Sequence, residues 1–191
     1  MTRPLQKNLH LLPADREAAA PALALQLRMA ADAVARTDPV PAIMQLLADT
    51  VFGEHHRSDV FAILRELLNN AIDHGLLGLD SSLKATQDGF MEYYRLRDGR
   101  LRSLRNGHIT LRVTRERGRG RSCDTLRIAV TDSGAGFDHV AELARAADPD
   151  CANQRGRGRG IAMLRALCEE LTYTGTGNAA EVVYRLTPPA A

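Results

Sequence analysis

The feature that most restricts the fold of this chain is a change of hydrophobic period near residue 108. Beyond it, apolar residues occupy alternate positions of two segments: Ile109, Leu111 and Val113, then Leu126, Ile128 and Val130. A period of two directs alternate side chains to opposite faces, so each segment is predicted to be a half-buried β-strand. Helical patterns precede these strands, and this order favours a two-layer α+β sandwich over a βαβ arrangement.

Local sequence patterns predict the remaining elements. The first half is expected to hold an edge strand over residues 5–13 and four helices, at residues 16–36 (starting near Pro21), 42–50, Ser58 to Gly75 or Gly78, and 80–106. Alanine content supports the first of these helices, and Ser58 is the predicted N-cap of the third. After the two strands we expect short helices over 140–147 and 161–170 and a closing hairpin over 171–186.

The composition is that of a globular protein. Of the 191 residues, 45% are hydrophobic and 25% charged, and this length suits one domain, predicted to span residues 1–191. Three cysteines without CxxC spacing argue against a disulfide framework and a zinc site. No signal peptide is recognisable and no apolar run approaches the ~18 residues of a membrane span, so a cytoplasmic protein without membrane association is predicted.

Basic residues are concentrated in the segment RERGRGR, residues 115–121, although the net charge is only +2. Such a run can bind nucleic acid or form a solvated turn, and its position between two predicted strands favours the turn. Few aromatic residues accompany the charge, so a nucleic-acid binder is the weaker interpretation. We therefore predict no nucleic-acid partner.

The segment ELLNNAIDHG, residues 66–75, places polar residues that are poor helix formers on a predicted helix. At 100° per residue, one face carries apolar side chains, which are Phe61, Leu64, Leu68, Ala71 and Ile72. The other face carries Glu66, Asn69, Asn70 and Asp73. Glu66 and Asn70 are one turn apart, so a potential general base and a potential Mg²⁺ ligand can meet over one small molecule. A solvent-exposed helix face is the alternative explanation.

Two glycine-containing segments follow. VTDSGAGFD, residues 130–138, ends the second strand and offers the carboxylate of Asp132 to an exocyclic amine, with glycines that admit a planar ring. GRGRGIAMLRAL, residues 156–167, has three glycines at alternate positions before a helix, where backbone N–H groups can bind phosphate. Taken alone, the first segment can also be a strand-ending turn, and the second is better explained as a flexible basic loop.

In their order and spacing, the three motifs resemble those of the ATPase superfamily shared by DNA gyrase, heat-shock chaperones, mismatch-repair proteins and histidine kinases. ELLNNAIDHG is similar to its N box, DSGAGF to its G1 box and GRGRGI to its G2 box, and the resemblance covers residues 58–186. It implies a mixed, mainly antiparallel β-sheet with helices on one face. It also implies a pocket for ATP and Mg²⁺.

The resemblance assigns roles to individual residues. It implies that Asn70 holds Mg²⁺, that Glu66 is the catalytic base and that Asp132 binds the adenine amino group. The pocket and its lid, residues 138–158, would be shaped by glycines, namely Gly134, Gly136, Gly156, Gly158 and Gly160. Further residues of the three boxes are expected to bind the nucleotide, namely Asp73, His74, Phe137, Arg157, Arg159 and Ile161.

One branch of the superfamily matches best. None of the six histidines lies in a phosphoacceptor context on a dimerisation helix. A strand and short helices lead into the N box, as in the anti-sigma-factor serine/threonine kinases. Residues 56–84 and 89–97 further resemble the kinase domain fused behind receiver and phosphatase domains in some bacterial regulators. This likeness leaves open that the sequence is part of a longer protein.

The resemblance implies a homodimeric kinase that phosphorylates a Ser or Thr of an anti-anti-sigma protein and binds a sigma factor. The alternative is a module that uses ATP only as a conformational switch, but the intact Glu66 favours the enzyme.

Two departures from the family pattern affect partner docking and adenine binding. Residues 79–107 form a longer insertion than the compact anti-sigma kinases have, which bears on partner docking. The closing strand lacks the threonine that often contacts adenine in the family, and the alternatives are Thr172, Thr174, Thr176 or a water.

Overall fold

The computed structural model describes residues 9–10, 23–48, 51, 53–118, 123–147 and 159–187. Its strands are β1 Leu9–His10, β2 Leu23–Ala30, β3 His108–Glu116, β4 Asp124–Asp132, β5 Glu170–Thr174 and β6 Ala179–Leu186. Its α-helices are α1 Ala31–Val34, α2 Val40–Ala48, α3 Arg57–Asn70, α4 Gln87–Ser103, α5 His139–Ala147 and α6 Arg159–Leu167. A π-helical turn, Ala71–Leu76, continues α3, and 3-10 segments lie at Glu54–His56 and Ser81–Ala85.

The described strands form one sheet in the order β1-β2-β3-β4-β6-β5, and every pairing is antiparallel. The two strands predicted from alternation are β3 and β4, and they pair with Leu111 opposite Val130. The predicted closing hairpin is β5 and β6, with Leu171 opposite Val182. These strand predictions are confirmed.

The hydrophobic core lies between one face of the sheet and the helices. Leu111, Ile128 and Val182 are fully buried on the sheet side, and Ile63 and Leu64 of α3 are fully buried on the helix side. The opposite face of the sheet is polar. There Arg127 binds Glu116 and Glu181, at 3.1 and 2.6 Å. The two-layer α+β fold with helices on one face is therefore confirmed.

The predicted helix over residues 16–36 is wrong, because residues 23–30 form strand β2. In this segment Leu25, Leu27 and Met29 are buried and face the core. They alternate with polar or small residues, which is a strand period. Pairing with β3 along the whole length of β2 outweighs the helix propensity of the alanines and leucines of β2. Pro21 lies outside the described residues, and of the predicted edge strand only Leu9–His10 is described.

Smaller differences concern helix ends. Helix α3 begins at Arg57 after a 3-10 turn, so Ser58 is not its N-cap. Phe61, predicted on the apolar face of this helix, is 44% exposed. In the insertion, a 3-10 segment precedes α4, and Oγ1 of Thr86 accepts a hydrogen bond from Gly89 N at 3.1 Å to cap that helix. Within the described residues, no helix has the length and apolar character needed to cross a bilayer.

Insertion helix α4 is attached directly to the end of the N-box helix. The hydroxyl of Tyr93 donates to Oδ2 of Asp73, and Nε of Arg97 donates to Oδ1, both at 2.7 Å. Arg100 donates to the carbonyl oxygens of Leu77 and Gly78, just beyond the π-helical turn. The insertion is therefore bound to the last turn of the N box by hydrogen bonds and an ion pair.

Candidate functional site

A cleft of about 480 Å³ opens at the end of α3, which is within the usual size range of small-molecule sites. The loop after β4, the first turn of α6 and the start of the insertion form its other walls. Eight of the predicted site residues line it: Glu66, Asn70, His74, Gly136, Phe137, Arg159, Gly160 and Ile161. The fold thus brings parts of all three sequence motifs to one cavity.

Glu66 and Asn70 form the polar pair at the centre of this cleft. Nδ2 of Asn70 donates a hydrogen bond to Oε1 of Glu66 at 2.9 Å. Since one turn of helix separates them, this contact follows from the local geometry predicted from the sequence. The two other side-chain oxygens of the pair, Oδ1 of Asn70 and Oε2 of Glu66, take no part in this bond and are acceptors.

Gly160 packs against the same pair from the first turn of α6. A β-carbon added at Gly160 would overlap the carboxylate of Glu66. The glycine therefore allows the carboxylate to lie this close to the backbone of α6. This contact fixes the G2 segment over the N-box helix.

Asp132 lies beside the cleft and not in its lining. The residue is 7% exposed, and its Oδ1 accepts a hydrogen bond from Gly134 N at 2.7 Å. A β-carbon on Gly75, in the π-helical turn, would overlap this carboxylate. Desolvation by burial raises the pKa of Asp132 above its ordinary value. Gly75 is thus a site residue to which the sequence patterns assigned no separate role.

Asp73 and Asn69 are turned away from the cleft. The carboxylate of Asp73 is bound by Tyr93 and Arg97, so the structure gives it a contact with the insertion instead of a place in the cleft lining. Asn69 lines a different depression, together with Arg65. The predicted polar face of the helix is therefore divided between two surfaces.

Gly136 and Phe137 connect the G1 loop to the turn between β5 and β6. Gly136 has a φ of +82°, which favours glycine, and an added β-carbon would overlap the carbonyl of Thr176. Phe137 N donates to that carbonyl at 3.0 Å. Of the three candidate threonines, Thr176 is therefore the one that contacts the G1 loop.

The cleft lining also includes residues that the sequence patterns did not single out, among them Tyr173 of β5 and Lys84 of the insertion. The Tyr173 hydroxyl is buried and has no hydrogen-bond partner among the described residues. Burial, with the charge of Glu66 as a smaller contribution, raises the Tyr173 pKa to about 12, so this hydroxyl is a donor at neutral pH. A buried donor without a partner is costly unless a ligand satisfies it.

Part of the G2 box lies outside the described residues, namely Gly156, Arg157 and Gly158. Of the predicted lid, residues 138–158, the structure describes 138–147 and includes helix α5 there. Glu142 of that helix lines the cleft. That these residues form a lid stays a prediction.

The donor set of the cleft fits a nucleotide. It combines a carboxylate–amide pair, an unpartnered buried hydroxyl, an aromatic side chain at Phe137 and a cationic residue at the start of a helix, Arg159. Among the described residues no cluster of three or more His, Cys, Asp or Glu side chains could hold a metal ion. A divalent ion here would therefore take most of its ligands from phosphate and water, as Mg²⁺ commonly does.

The fold and the cleft define a class of α+β nucleotide-binding domains, and the family comparison agrees. Residues 18–184 match the family model described as histidine kinase-like ATPase domain, which covers most of the chain. The protein belongs to this family, and membership implies that it binds ATP. A comparison with curated proteins gave no match.

Proposed function

We propose that this protein is an ATP-dependent serine/threonine kinase of the anti-sigma-factor type. Its substrate would be a Ser or Thr of an anti-anti-sigma protein, and the phosphorylation state of that protein would decide whether a sigma factor is bound. The observation that carries the proposal is the hydrogen-bonded pair of Glu66 and Asn70, packed against Gly160 in a nucleotide-sized cleft. The pair supplies a base and a metal ligand at one point.

Glu66 would act as the general base. Its Oε1 is engaged by Asn70, so Oε2 accepts the proton of the attacking hydroxyl. The hydroxyl oxygen then bonds to the γ-phosphorus of ATP while the bond to ADP breaks. The proton leaves through Glu66 to solvent.

Asn70 would hold Mg²⁺ through Oδ1, because Nδ2 is already directed to Glu66. Mg²⁺, when bound, neutralises charge on the phosphates during transfer. Arg159 and the backbone at Gly160, at the start of α6, lie on the same side of the cleft and favour an anion at the helix N-terminus.

The adenine end would lie toward Asp132, whose carboxylate is a strong acceptor for an exocyclic amine. Gly75 and Gly134 have no β-carbon, and this leaves room for the Asp132 carboxylate close to the cleft. The hydroxyl of Tyr173 is a donor still available to the nucleotide, and the ring of Phe137 offers an apolar surface.

The positions of two histidines support a partner as the phosphate acceptor. His56 is buried and bound to Tyr184 and the Thr187 carbonyl, and His74 is bound to the Leu79 carbonyl at 2.6 Å. Both side chains have structural contacts, and we propose that the phosphate acceptor belongs to another protein. We extend the proposal to a cytoplasmic homodimer by analogy with the kinases that the sequence resembles.

The test is a transfer assay with γ-labelled ATP. The protein alone should remain unlabelled on histidine, and an anti-anti-sigma partner should gain acid-stable, alkali-labile label on Ser or Thr. Acid-labile label on this protein itself would contradict the proposal. Tight ATP binding that controls partner retention without any label would favour the switch module instead.

A further inference from the structure

Lys84 stands out among the residues that line the cleft. The chain has only two lysines, Lys7 and Lys84, among 25 basic residues. Lys84 belongs to the 3-10 segment that opens the insertion, and it lines the cleft together with Ser81. The insertion therefore contributes a cation to the same cavity as Glu66 and Asn70.

The Lys84 ammonium lies over a buried aromatic ring. Nζ lies 3.9 Å from the centroid of the Tyr93 ring, which is fully buried. The hydroxyl of Tyr93 is in turn bound by Asp73. A cation–π contact of this kind orients the ammonium without neutralising its charge.

No ion pair among the described residues includes Lys84, and the Tyr93 ring is its one charge-related contact there. Most arginines whose contacts the structure describes form an ion pair with a carboxylate, as Arg97 and Arg115 do. Within the described lining, the other permanent cation is Arg159, on a separate element, α6. The cleft thus has one cation on each of two elements, the insertion and the G2 helix.

A lysine suits this position because its ammonium is a compact point charge that binds phosphate oxygens without the planar geometry of arginine. We propose that Lys84 is a nucleotide-binding residue that contacts phosphate oxygens of ATP and ADP. The inference rests on the proposed ATP site and assigns the insertion a part in it. The insertion would then be part of the ATP site as well as a surface feature.

The first test measures nucleotide binding by calorimetry in the Lys84→Met variant, which keeps the length of the stem and removes the charge. We expect ATP and ADP to bind about tenfold more weakly or worse, because the variant loses a charge-assisted hydrogen bond to phosphate. Adenosine, which lacks phosphate, should bind as it does to the wild type. Arg102→Met is the matched control, because Arg102 is exposed on α4 and outside the cleft lining.

A second test uses the unaltered protein, so it does not depend on the folding of a variant. Lysines are acylated with an N-hydroxysuccinimide ester, and modification of Lys84 and Lys7 is followed by mass spectrometry. With ATP at about ten times its Kd, roughly nine-tenths of the sites are filled, so acylation of Lys84 should slow about tenfold. Lys7 is the internal reference, and adenosine should protect neither residue.

The outcomes separate this inference from the proposed function. Unchanged ATP affinity in Lys84→Met, or Lys84 acylation that ATP does not slow, would overturn the inference and leave the ATP site intact. An equal loss of ATP and adenosine would also overturn it, because the contact would not be to phosphate. Failure of the wild type to bind ATP would overturn the proposed function and this inference with it.

Discussion

The hydroxyl of Tyr93 donates a hydrogen bond of 2.7 Å to Asp73, a residue of the N box that lies 20 positions earlier in the chain. Both side chains are buried, and Arg97 completes the charge balance of the carboxylate. The N box therefore has two functions in this protein. Glu66 and Asn70 face the cleft, while Asp73 attaches the insertion to the helix that carries them.

Removing this hydroxyl is expected to destabilise the protein. Tyr93→Phe leaves the buried Asp73 carboxylate with one partner fewer, and we expect the free energy of unfolding to fall by about 1–3 kcal/mol in urea titrations. Tyr94→Phe is the matched control, because Tyr94 is 46% exposed, and its effect should be within about 0.5 kcal/mol. Equal losses in the two variants would contradict the structural role of the Tyr93–Asp73 bond.

Gly160→Ala should impair phosphoryl transfer while the fold survives. The added β-carbon displaces the Glu66 carboxylate, which can swing away and in doing so breaks its bond to Asn70. Transfer is expected to fall about 10²-fold or more, the usual scale for losing a positioned base. The comparison is Gly99→Ala in α4, where an added β-carbon meets nothing within 4 Å and should stabilise the helix by about 0.5–1 kcal/mol.

Glu66→Gln tests the base directly. Glutamine keeps the size of the side chain and an acceptor for Asn70, so nucleotide affinity measured by calorimetry should be retained. Without a basic carboxylate, transfer to the partner protein should slow by about 10²–10⁴-fold. Glu92→Gln, on the exposed side of α4 and outside the cleft lining, should transfer at the wild-type rate. A Glu66→Gln enzyme as fast as wild type would show that Glu66 is only part of the helix surface.

Asn70→Ala and Asn69→Ala form a pair of adjacent substitutions with opposite expectations. Asn70 lines the cleft, so its loss should abolish the Mg²⁺-dependent component of ATP binding, seen in titrations with and without chelator. Asn69 lines the separate depression beside Arg65, so Asn69→Ala should bind Mg·ATP normally. Normal Mg·ATP affinity in a folded Asn70→Ala protein would mean that the metal ligand has been misassigned.

Asp132→Asn should weaken ATP and ADP similarly and yet stabilise the ligand-free protein at pH 7. Burial raises the pKa of Asp132 above its ordinary value of 3.8, so the folded state holds the proton more tightly than the unfolded state. The corresponding stabilisation is present below pH 3.8 and lost as the pH rises through the folded-state pKa. The neutral asparagine avoids this loss and still accepts the Gly134 N–H.

Thermal unfolding across pH measures this effect. The variant should have the higher Tm at pH 7, by roughly 2–4 °C for each 1 kcal/mol relieved, and the wild type should approach it on acidification. Asp98→Asn, on the exposed side of α4, should follow the wild type at every pH. A mutant that loses ATP but keeps ADP would instead place Asp132 near the γ-phosphate.

Features that depend on local geometry could be predicted from the sequence. The alternation of β3 and β4 defines a strand whatever surrounds it, and the i,i+4 spacing of Glu66 and Asn70 defines a contact on any helix. Strand β2 shows the same alternation, but its alanines and leucines favour a helix, and the partner that decides between the two, β3, begins almost 80 residues later. Propensity is a weak guide where long-range pairing decides.

The same distinction applies within the site. Asp73 was placed on the cleft side by an ideal α-helical wheel, but from Ala71 the backbone is a π-helical turn, so the wheel no longer applies. Lys84 and Tyr173 come from the insertion and from β5, and their place in the cleft follows from tertiary packing alone. No short pattern around either residue distinguishes it from an ordinary surface or core position.

The π-helical turn, Ala71–Leu76, makes the length of this segment as important as its composition. It holds one residue more than an α-helical path would need, as the bond from Leu77 N to Ile72 O at 2.9 Å records. Deleting a single residue here would let the chain cross the turn along an α-helical path, so the side chains inside the turn would point in other directions while the residues after it kept their orientation. His74 would then leave the cleft and Gly75 would leave Asp132, although every functional side chain was still encoded.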